Sequence, residues 1–377
     1  MKAVVWGKYK CDGHQVNLPL PHKLLGMDFR SDTVTQPTPQ MLQAMMNARV
    51  GDDVFGEDPA VNELERTAAA MFGMEDALYC SSGTQANQIA LSVHMRPGEE
   101  VICSDVSHIY LYEGGGIAQN AGASVRLIKG DRGRINTSDV LQNINADDPH
   151  YPRTAMVSVE NTCNKGGGSI YDYNELAALH QLCRERKLIL HCDGARICNA
   201  AIAAGNALSD FGKVFDSLSV CLSKGLGAPV GSVLLGTKDF IYRARRRRKT
   251  LGGGMRQAGF IAAAGLYALN HHIQRLKDDH NNAKRMGEAL QRCEWVESIM
   301  PIETNIVIAQ IRAPHTSAQA MMALAERGIK CFTFGADKIR WVTHLDIREE
   351  HLVEVERILP DIQLTTTQNQ NRLAGMY

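Results

Sequence analysis

From Pro59 onward, stretches with apolar residues at helical spacing alternate with short, nearly continuous apolar runs, and this rhythm predicts the fold. Asp58-Pro59 reads as a capping side chain followed by proline at the first helical position, and Gly73 stands where that helix closes. Short apolar runs recur around Leu78, Val101, Val125, Met156, Ile189, Ser219 and Val233, with helical stretches between them. Strands alternating with helices predict an α/β fold, a mostly parallel seven-stranded sheet between helix layers. After Gly252-Gly253-Gly254 the pattern predicts a long helix from Arg256 to about Arg292. A strand at Ile306, a helix from Ser317 to Arg327, a strand near Trp341 and a helix from Arg348 follow, which together make a smaller C-terminal α+β domain.

The length of 377 residues exceeds the usual single core, so the chain is expected to divide. The expected parts are an N-terminal extension over 1–26, a large domain with an N-terminal arm over 27–275, a small domain over 276–362 and a polar tail over 363–377. The 41 basic and 41 acidic side chains cancel, which removes any bulk electrostatic attraction for nucleic acid or an anionic membrane and favours a small-molecule ligand. The 10 cysteines include no Cys-x-x-Cys pair, so reduced thiols in the cytoplasm are expected rather than a disulfide framework or a zinc site. No apolar stretch reaches the ~20 residues that span a bilayer. The basic run Arg243 to Lys249 resembles a nucleic-acid patch, but in a neutral chain it predicts a solvated helix face or a subunit contact. Asp52, Asp53, Glu57 and Asp58 are read as caps and helix-dipole partners rather than metal ligands, and no metal is expected.

The chemistry concentrates at Lys224. An alternating strand over Leu218 to Ser223 delivers it to the turn Gly225-Leu226-Gly227, and upstream Asp193 ends the apolar run Leu188 to Cys192. A strand-end aspartate followed at a distance by a lysine in a glycine-rich loop is the pattern of pyridoxal phosphate enzymes. There the lysine forms a Schiff base with the cofactor and the aspartate keeps the pyridine nitrogen protonated. Ser81-Ser82-Gly83-Thr84 follows a strand and opens a helix, a place where backbone N–H groups bind phosphate, although such a turn taken alone is more often a simple cap. His108 follows the strand Val101-Ile102-Cys103, where an imidazole can stack on the ring; its competing reading is a partly buried structural histidine. Arg196 is placed either at the cofactor's phenolic oxygen or as an ion-pair partner of Asp193. His191 lies on the same side of its strand as Asp193, which suits a role in holding that carboxylate.

These pieces, in this order, resemble the L-threonine aldolase family, also called low-specificity or L-allo-threonine aldolases, of the aspartate-aminotransferase-type fold. The resemblance runs from Met27-Asp28-Phe29-Arg30-Ser31-Asp32 through Gly51 to Pro59, Ser107-His108-Ile109-Tyr110-Leu111-Tyr112-Glu113, Val159 to Thr162, His191 to Arg196, the lysine loop, Gly252 to Gln257 and Arg340 to Asp346. It implies fold type I, pyridoxal 5′-phosphate on Lys224, Asp193 at the ring nitrogen, Arg196 at the phenolic oxygen, His108 on the ring face, and Ser82, Gly83 and Thr84 at the phosphate. It implies that Arg256 reaches the phosphate of a neighbouring subunit, in a homotetramer built as a dimer of dimers. It places the substrate carboxylate on Arg340, with Ser31 and Arg196 helping, and His150 at the β-hydroxyl. The sequence departs from the family at Cys163, where histidine more often follows Glu-Asn-Thr.

The implied activity is retro-aldol cleavage of L-threonine, L-allo-threonine and related β-hydroxy-α-amino acids to glycine and an aldehyde, a carbon–carbon lyase reaction. His108 is expected to take the hydroxyl proton, directly or through water, while His150 positions the hydroxyl; both have an unperturbed pKa near 6.5. An amino-acid racemase or a β-eliminating lyase would keep Lys224 and Asp193, as would a catalytically silent cofactor-binding scaffold.

Overall fold

The structure, a computed structural model, describes residues 27–364 in full and the backbone of two N-terminal strands. Those strands, β1 (Trp6–Cys11) and β2 (His14–Pro19), pair antiparallel inside the segment expected to be a plain extension. The rest of 1–26, and 365–377 of the expected polar tail, lie outside the described residues. The next strand, β3 (Met27–Asp28), opens the main fold. Six parallel strands carry the large sheet: β4 (Asp76–Cys80), β5 (Glu100–Ser104), β6 (Ser124–Ile128), β7 (Thr154–Glu160), β8 (Ile189–Asp193) and β9 (Ser217–Cys221). The seventh, β10 (Ser232–Gly236), runs antiparallel between β4 and β9, giving the order β4-β10-β9-β8-β7-β5-β6. Strands β5, β7, β9 and β10 are buried along their whole length, and β8 is buried at all but Ile189, as a sheet covered by helices on both faces demands. Asp58 caps the helix Pro59–Phe72 through Ala60 N and Val61 N, and Gly73 ends it at φ +64°, as the sequence predicts.

The predicted long helix after the glycine run is two helices, Gly259–His271 and Leu276–Gln291. The turn between them does structural work for the site: His272 Nδ1–H donates to the Leu226 carbonyl at 2.8 Å, and Arg275 reaches the Gly225 carbonyl. Both carbonyls belong to the lysine loop, so the break clamps it. The smaller sheet comprises β11 (Val296–Ile299), β12 (Ile306–Ile311), β14 (Phe332–Thr333) and β15 (Lys338–Val342), while β13 (Ile329–Lys330) pairs with β3. This pairing seats Phe29 in the C-terminal core against Trp341, at 5.3 Å between rings. The N-terminal arm thereby crosses from the small unit toward the large sheet, carrying Ser31 and Asp32 with it. No helix among the described residues is long and apolar enough to cross a membrane.

The arginine run departs from expectation in part: Arg243, Arg246 and Lys249 are exposed as predicted, and the other three arginines are not. In the helix Lys238–Thr250, Arg245 pairs with Glu65, Arg247 bonds Ser92 and the Asn120 carbonyl, and Arg248 is buried against Asp53 and the Tyr79 carbonyl. These cations fasten the helix inward instead of solvating its face. Asp52 and Asp58 are caps, whereas Asp53 is the buried partner of Arg248.

Candidate active site

Parallel strands place their C-terminal ends on one edge, and the residues that follow those ends converge there. Asp193 ends β8, Glu160 ends β7 beside it in register, His108 follows β5, and Lys224 follows β9 in the connection to β10. Gly227 N–H and Ala228 N–H fold that connection back onto Lys224 O and Leu222 O at 2.7 and 3.0 Å. The helix Gly83–His94 begins against the end of β9: a Cβ at position 83 would lie 2.7 Å from Cys221 Sγ, so only glycine lets the helix start this close. Ser82 and Thr84 are exposed at that N-terminus, with Ser82 Oγ accepting from Gln85 N–H at 3.1 Å.

Asn87, on the same helix, links the centre together. Its Nδ2 donates to Asp193 Oδ2 and to Glu113 Oε1, each at 2.9 Å, and its Oδ1 accepts from Ser219 Oγ at 2.7 Å and from His191 Nε2 at 3.2 Å. Asp193 Oδ1 accepts from Ala195 N–H at 3.1 Å. His191 therefore holds Asp193 through Asn87 rather than directly, as its strand position had implied. Burial pushes the His191 imidazole pKa down to about 4, so it is neutral. The His108 ring lies with Nδ1 3.0 Å from Glu113 Oε1, and its backbone N–H donates to Glu160 Oε2 at 2.8 Å. Burial pulls the His108 pKa down, but the bond to Glu113 and the charge of Asp193 outweigh it and raise it overall, against Lys224. Glu160, buried beside Asp193, is pushed up to about 7.

Arg196 pairs with Asp32, not with Asp193. Its Nε and Nη2 reach the two carboxylate oxygens at 2.7 Å each, and both side chains are buried. Burial would raise the Asp32 carboxyl, but Arg196, helped by Lys224 and His344, holds it well below the usual carboxylate range. Nη1 is the Arg196 nitrogen left uncommitted to Asp32. Ser31 caps the turn at Asp32–Val34 and lies against the same carboxylate. Across from this pair, Arg340 on β15 donates from Nη1 to Asn164 Oδ1 at 2.8 Å and from Nη2 to the Arg30 carbonyl at 3.0 Å. Its Nε is buried without a partner, and among the described residues it forms no ion pair. Burial and the neighbouring Arg196 lower its pKa to about 10. A guanidinium with a buried unpaired N–H, in a positive field, is arranged for an arriving anion.

Two expected site residues are elsewhere. His150 is 87 % exposed and bonded to Asp148 at 2.7 Å. It lies just before Thr154, at the N-terminal end of β7, so the strand's own length separates it from the edge that holds Asp193. Within one chain it does not line the site. Arg256 is half-exposed on the surface, bound to Asp52 at 2.8 Å beside the exposed Phe55. The sequence reading missed Asp32, Asn87, Glu113 and Glu160 as site residues; each stood next to or within a motif already singled out, and only the pairing of distant strands brings them together. At the family departure, Cys163 is buried directly under Gly133, where a Cβ would approach its Sγ to 2.2 Å. That packing leaves no room for an imidazole.

The site fits pyridoxal phosphate: an amine, a firmly held carboxylate at a strand end, a glycine-tightened helix N-terminus and an imidazole share one edge. The comparisons agree. The family profile described as "Beta-eliminating lyase" matches residues 28–314. The low specificity L-threonine aldolase of Escherichia coli (strain K12) is 43% identical over 87% of this chain and 97% of its own length. A probable low-specificity L-threonine aldolase of Arabidopsis thaliana is 40% identical over 90% of this chain and 97% of its own. A solved threonine aldolase of Leishmania major superposes with a TM-score of 0.78 over 89% of this chain and 98% of that one at 22% identity, which bears on the fold alone. With a family profile spanning most of its length and relatives this similar, the chain belongs to the beta-eliminating lyase family and, within it, to the low-specificity L-threonine aldolases.

Proposed function

We propose that this protein cleaves L-threonine and L-allo-threonine, with related β-hydroxy-α-amino acids, to glycine and an aldehyde, using pyridoxal 5′-phosphate. The names of its relatives support the reaction, and the observation that carries it here is the unpaired Arg340 guanidinium facing the Arg196–Asp32 pair. Bound at this edge, pyridoxal phosphate supplies an electron sink for the charge left on Cα when a bond to that carbon breaks. Lys224 would hold the cofactor, its amine being the nucleophile that follows β9 at this edge. Asp193, fixed by Asn87 and Ala195, would keep the ring nitrogen protonated, and the helix start at Ser82-Gly83-Thr84 would take the phosphate. Arg340, with Ser31 and Arg196 Nη1, clamps the substrate carboxylate in a guanidinium fork. That grip fixes rotation about the nitrogen–Cα bond and turns Cα–Cβ toward cleavage. His108 takes the β-hydroxyl proton, and the departing aldehyde leaves its electron pair on Cα, to be reprotonated as glycine.

This reading extends to assembly. Phe55, 72% exposed, and Arg256 stand on the surface, where a second copy would bury the one and place the other near its phosphate. His150 reaches a substrate only if another chain supplies it, which favours a dimer of dimers with shared sites. A reducing cytoplasm suits the nine free cysteines among the described residues, all buried.

Purified protein loaded with pyridoxal phosphate is expected to release acetaldehyde from both threonine diastereomers, and Lys224→Ala to release none above background. Cofactor uptake without aldehyde from these substrates or phenylserine would instead favour racemisation or β-elimination.

A further inference from the structure

Glu113 follows Tyr112 at the edge of the site, and its side chain is fully buried. Its Oε1 accepts from Asn87 Nδ2 at 2.9 Å and faces His108 Nδ1 at 3.0 Å, while Oε2 accepts from Gln88 Nε2 at 2.6 Å. Asn87 and Gln88 are consecutive buried residues of the helix Gly83–His94, so one rigid element grips both oxygens. The same Asn87 Nδ2 also holds Asp193, which ties Glu113 to the carboxylate that ends β8. An ionised carboxylate has no proton to give, so the 3.0 Å contact makes Nδ1 the protonated nitrogen of the neutral ring and leaves Nε2 as the acceptor.

We infer that Glu113 is a positioning residue for the retro-aldol step: by holding Nδ1–H of His108 it presents Nε2 to the substrate's β-hydroxyl, and the two side chains act as one acid–base dyad. The inference rests on the aldolase reading above. As the hydroxyl proton passes to Nε2, the O–H pair becomes the aldehyde C=O bond and the Cα–Cβ pair stays with Cα. The ring becomes an imidazolium, and its bond to Glu113 becomes charge-assisted, which stabilises the charge where it forms. The proton then returns to Cα. The groups that face His108 are Glu113, Glu160 at its backbone N–H, Asp193, Lys224 and the Tyr112 ring at 5.6 Å. Of the groups that raise its affinity for a proton, Glu113 alone bonds the ring directly.

The test pairs Glu113→Gln, which keeps the size and removes the charge, with Glu113→Asp, which keeps the charge. Of the two forms of imidazole, diethyl pyrocarbonate modifies only the neutral one, so its rate at the His108 ring itself against pH, located by fragment mass spectrometry apart from Tyr110 and Tyr112 on full-length protein freed of cofactor, reads the ring's own titration. Glu113→Gln is expected to move the His108 midpoint to lower pH by about one unit, and Glu113→Asp to leave it near wild type. In the loaded enzyme, the acid limb of kcat/KM moves the same way in Glu113→Gln, and kcat falls at least about tenfold while KM changes little. An unmoved His108 midpoint overturns the dyad. So does a moved midpoint with unchanged kcat, or a fall in kcat with the acid limb in place, the mark of a merely structural carboxylate. Failure of wild type to release aldehyde removes the aldolase reading instead, while the His108 midpoint still decides whether Glu113 sets the ring.

Discussion

On the sheet side of the site, Asn87 touches Asp193, Glu113, His191 and Ser219, and Asp193, Glu113 and His191 each have a further partner of their own. On the side built by the arm and the small unit, Arg340 reaches an asparagine and a carbonyl but keeps Nε buried and unbonded. The difference follows what each wall must hold. A resident cofactor gains from partners fixed in advance, since nothing then reorganises when charge shifts into the ring. A substrate must arrive and leave, so the group that grips it stays incomplete until the carboxylate comes. Asp32 stands at the seam, completing Arg196 and leaving Arg340 without an anion.

Breaking the seam has the largest expected effect. Asp32→Asn leaves Arg196 buried without its carboxylate, and loss of one partner of a buried pair costs about 3–5 kcal/mol. Urea unfolding is expected to show that loss as a lowered midpoint, with aldehyde release falling as well. A midpoint within experimental error of wild type would mean that Asp32 and Arg196 are not a unit, and the contrast between the walls would lose its hinge. A smaller effect is expected from Arg340→Lys, which keeps the charge but loses the fork. Hydrogen bonds to charged groups contribute about 1.5–3 kcal/mol, so kcat/KM for L-threonine is expected to fall about 10- to 100-fold, mostly through KM. Stability should fall less than in Asp32→Asn, because the bonds to Asn164 and the Arg30 carbonyl are weakened but no internal ion pair is lost. A drop in kcat alone, with KM constant, would place Arg340 away from the substrate carboxylate.

The same contrast explains what could be read in advance. Strand and helix alternation carried the seven-stranded sheet, and Lys224, Asp193 and His108 were legible because each follows a strand end and chemistry gathers there. Asp32 was not, because its partner Arg196 follows β8 in the large sheet while the arm carrying Asp32 is anchored by the pairing of β3 with β13, and no local pattern encodes contacts so far apart along the chain. Asn87 follows the phosphate turn Ser81-Ser82-Gly83-Thr84 by three residues, and its side chain is turned into the sheet, against Asp193 and Ser219. His150 differs for the converse reason: the family resemblance puts it at the substrate, while strand direction puts it at the other edge of its own chain, where only a neighbouring copy could use it. The helix break at His272 was hidden because the apolar spacing continues through it, and only its bonds to the lysine loop explain it.

The smallest predicted effect tests whether the sheet-side wall is held in a neutral, fixed state. His191 donates from Nε2 to Asn87 and accepts from Ser217 at Nδ1, and it stays unprotonated in the fold down to about pH 4, whereas in the unfolded chain it takes up a proton near 6.5. Between those values the unfolded chain holds more protons, so acidification favours unfolding, and the contribution of neutral His191 is present above about 6.5 and lost as pH falls. From pH 6.5 to 5 this loss is about 1–2 kcal/mol. His191→Gln, which cannot titrate, is expected to lose correspondingly less stability over that interval than wild type, measured as the change in urea midpoint. His94, buried on the other side of Ser217 and pushed down to about 3, keeps some acid sensitivity in both proteins, and Glu160 opposes it in both, so only the difference between the two slopes counts. Because the Asn87 amide would be less firmly held, cofactor affinity is expected to weaken by about tenfold or less. Equal slopes would show that His191 is protonated in the fold, which would turn Asn87 around and undo the orientation that joins Asp193 to Glu113.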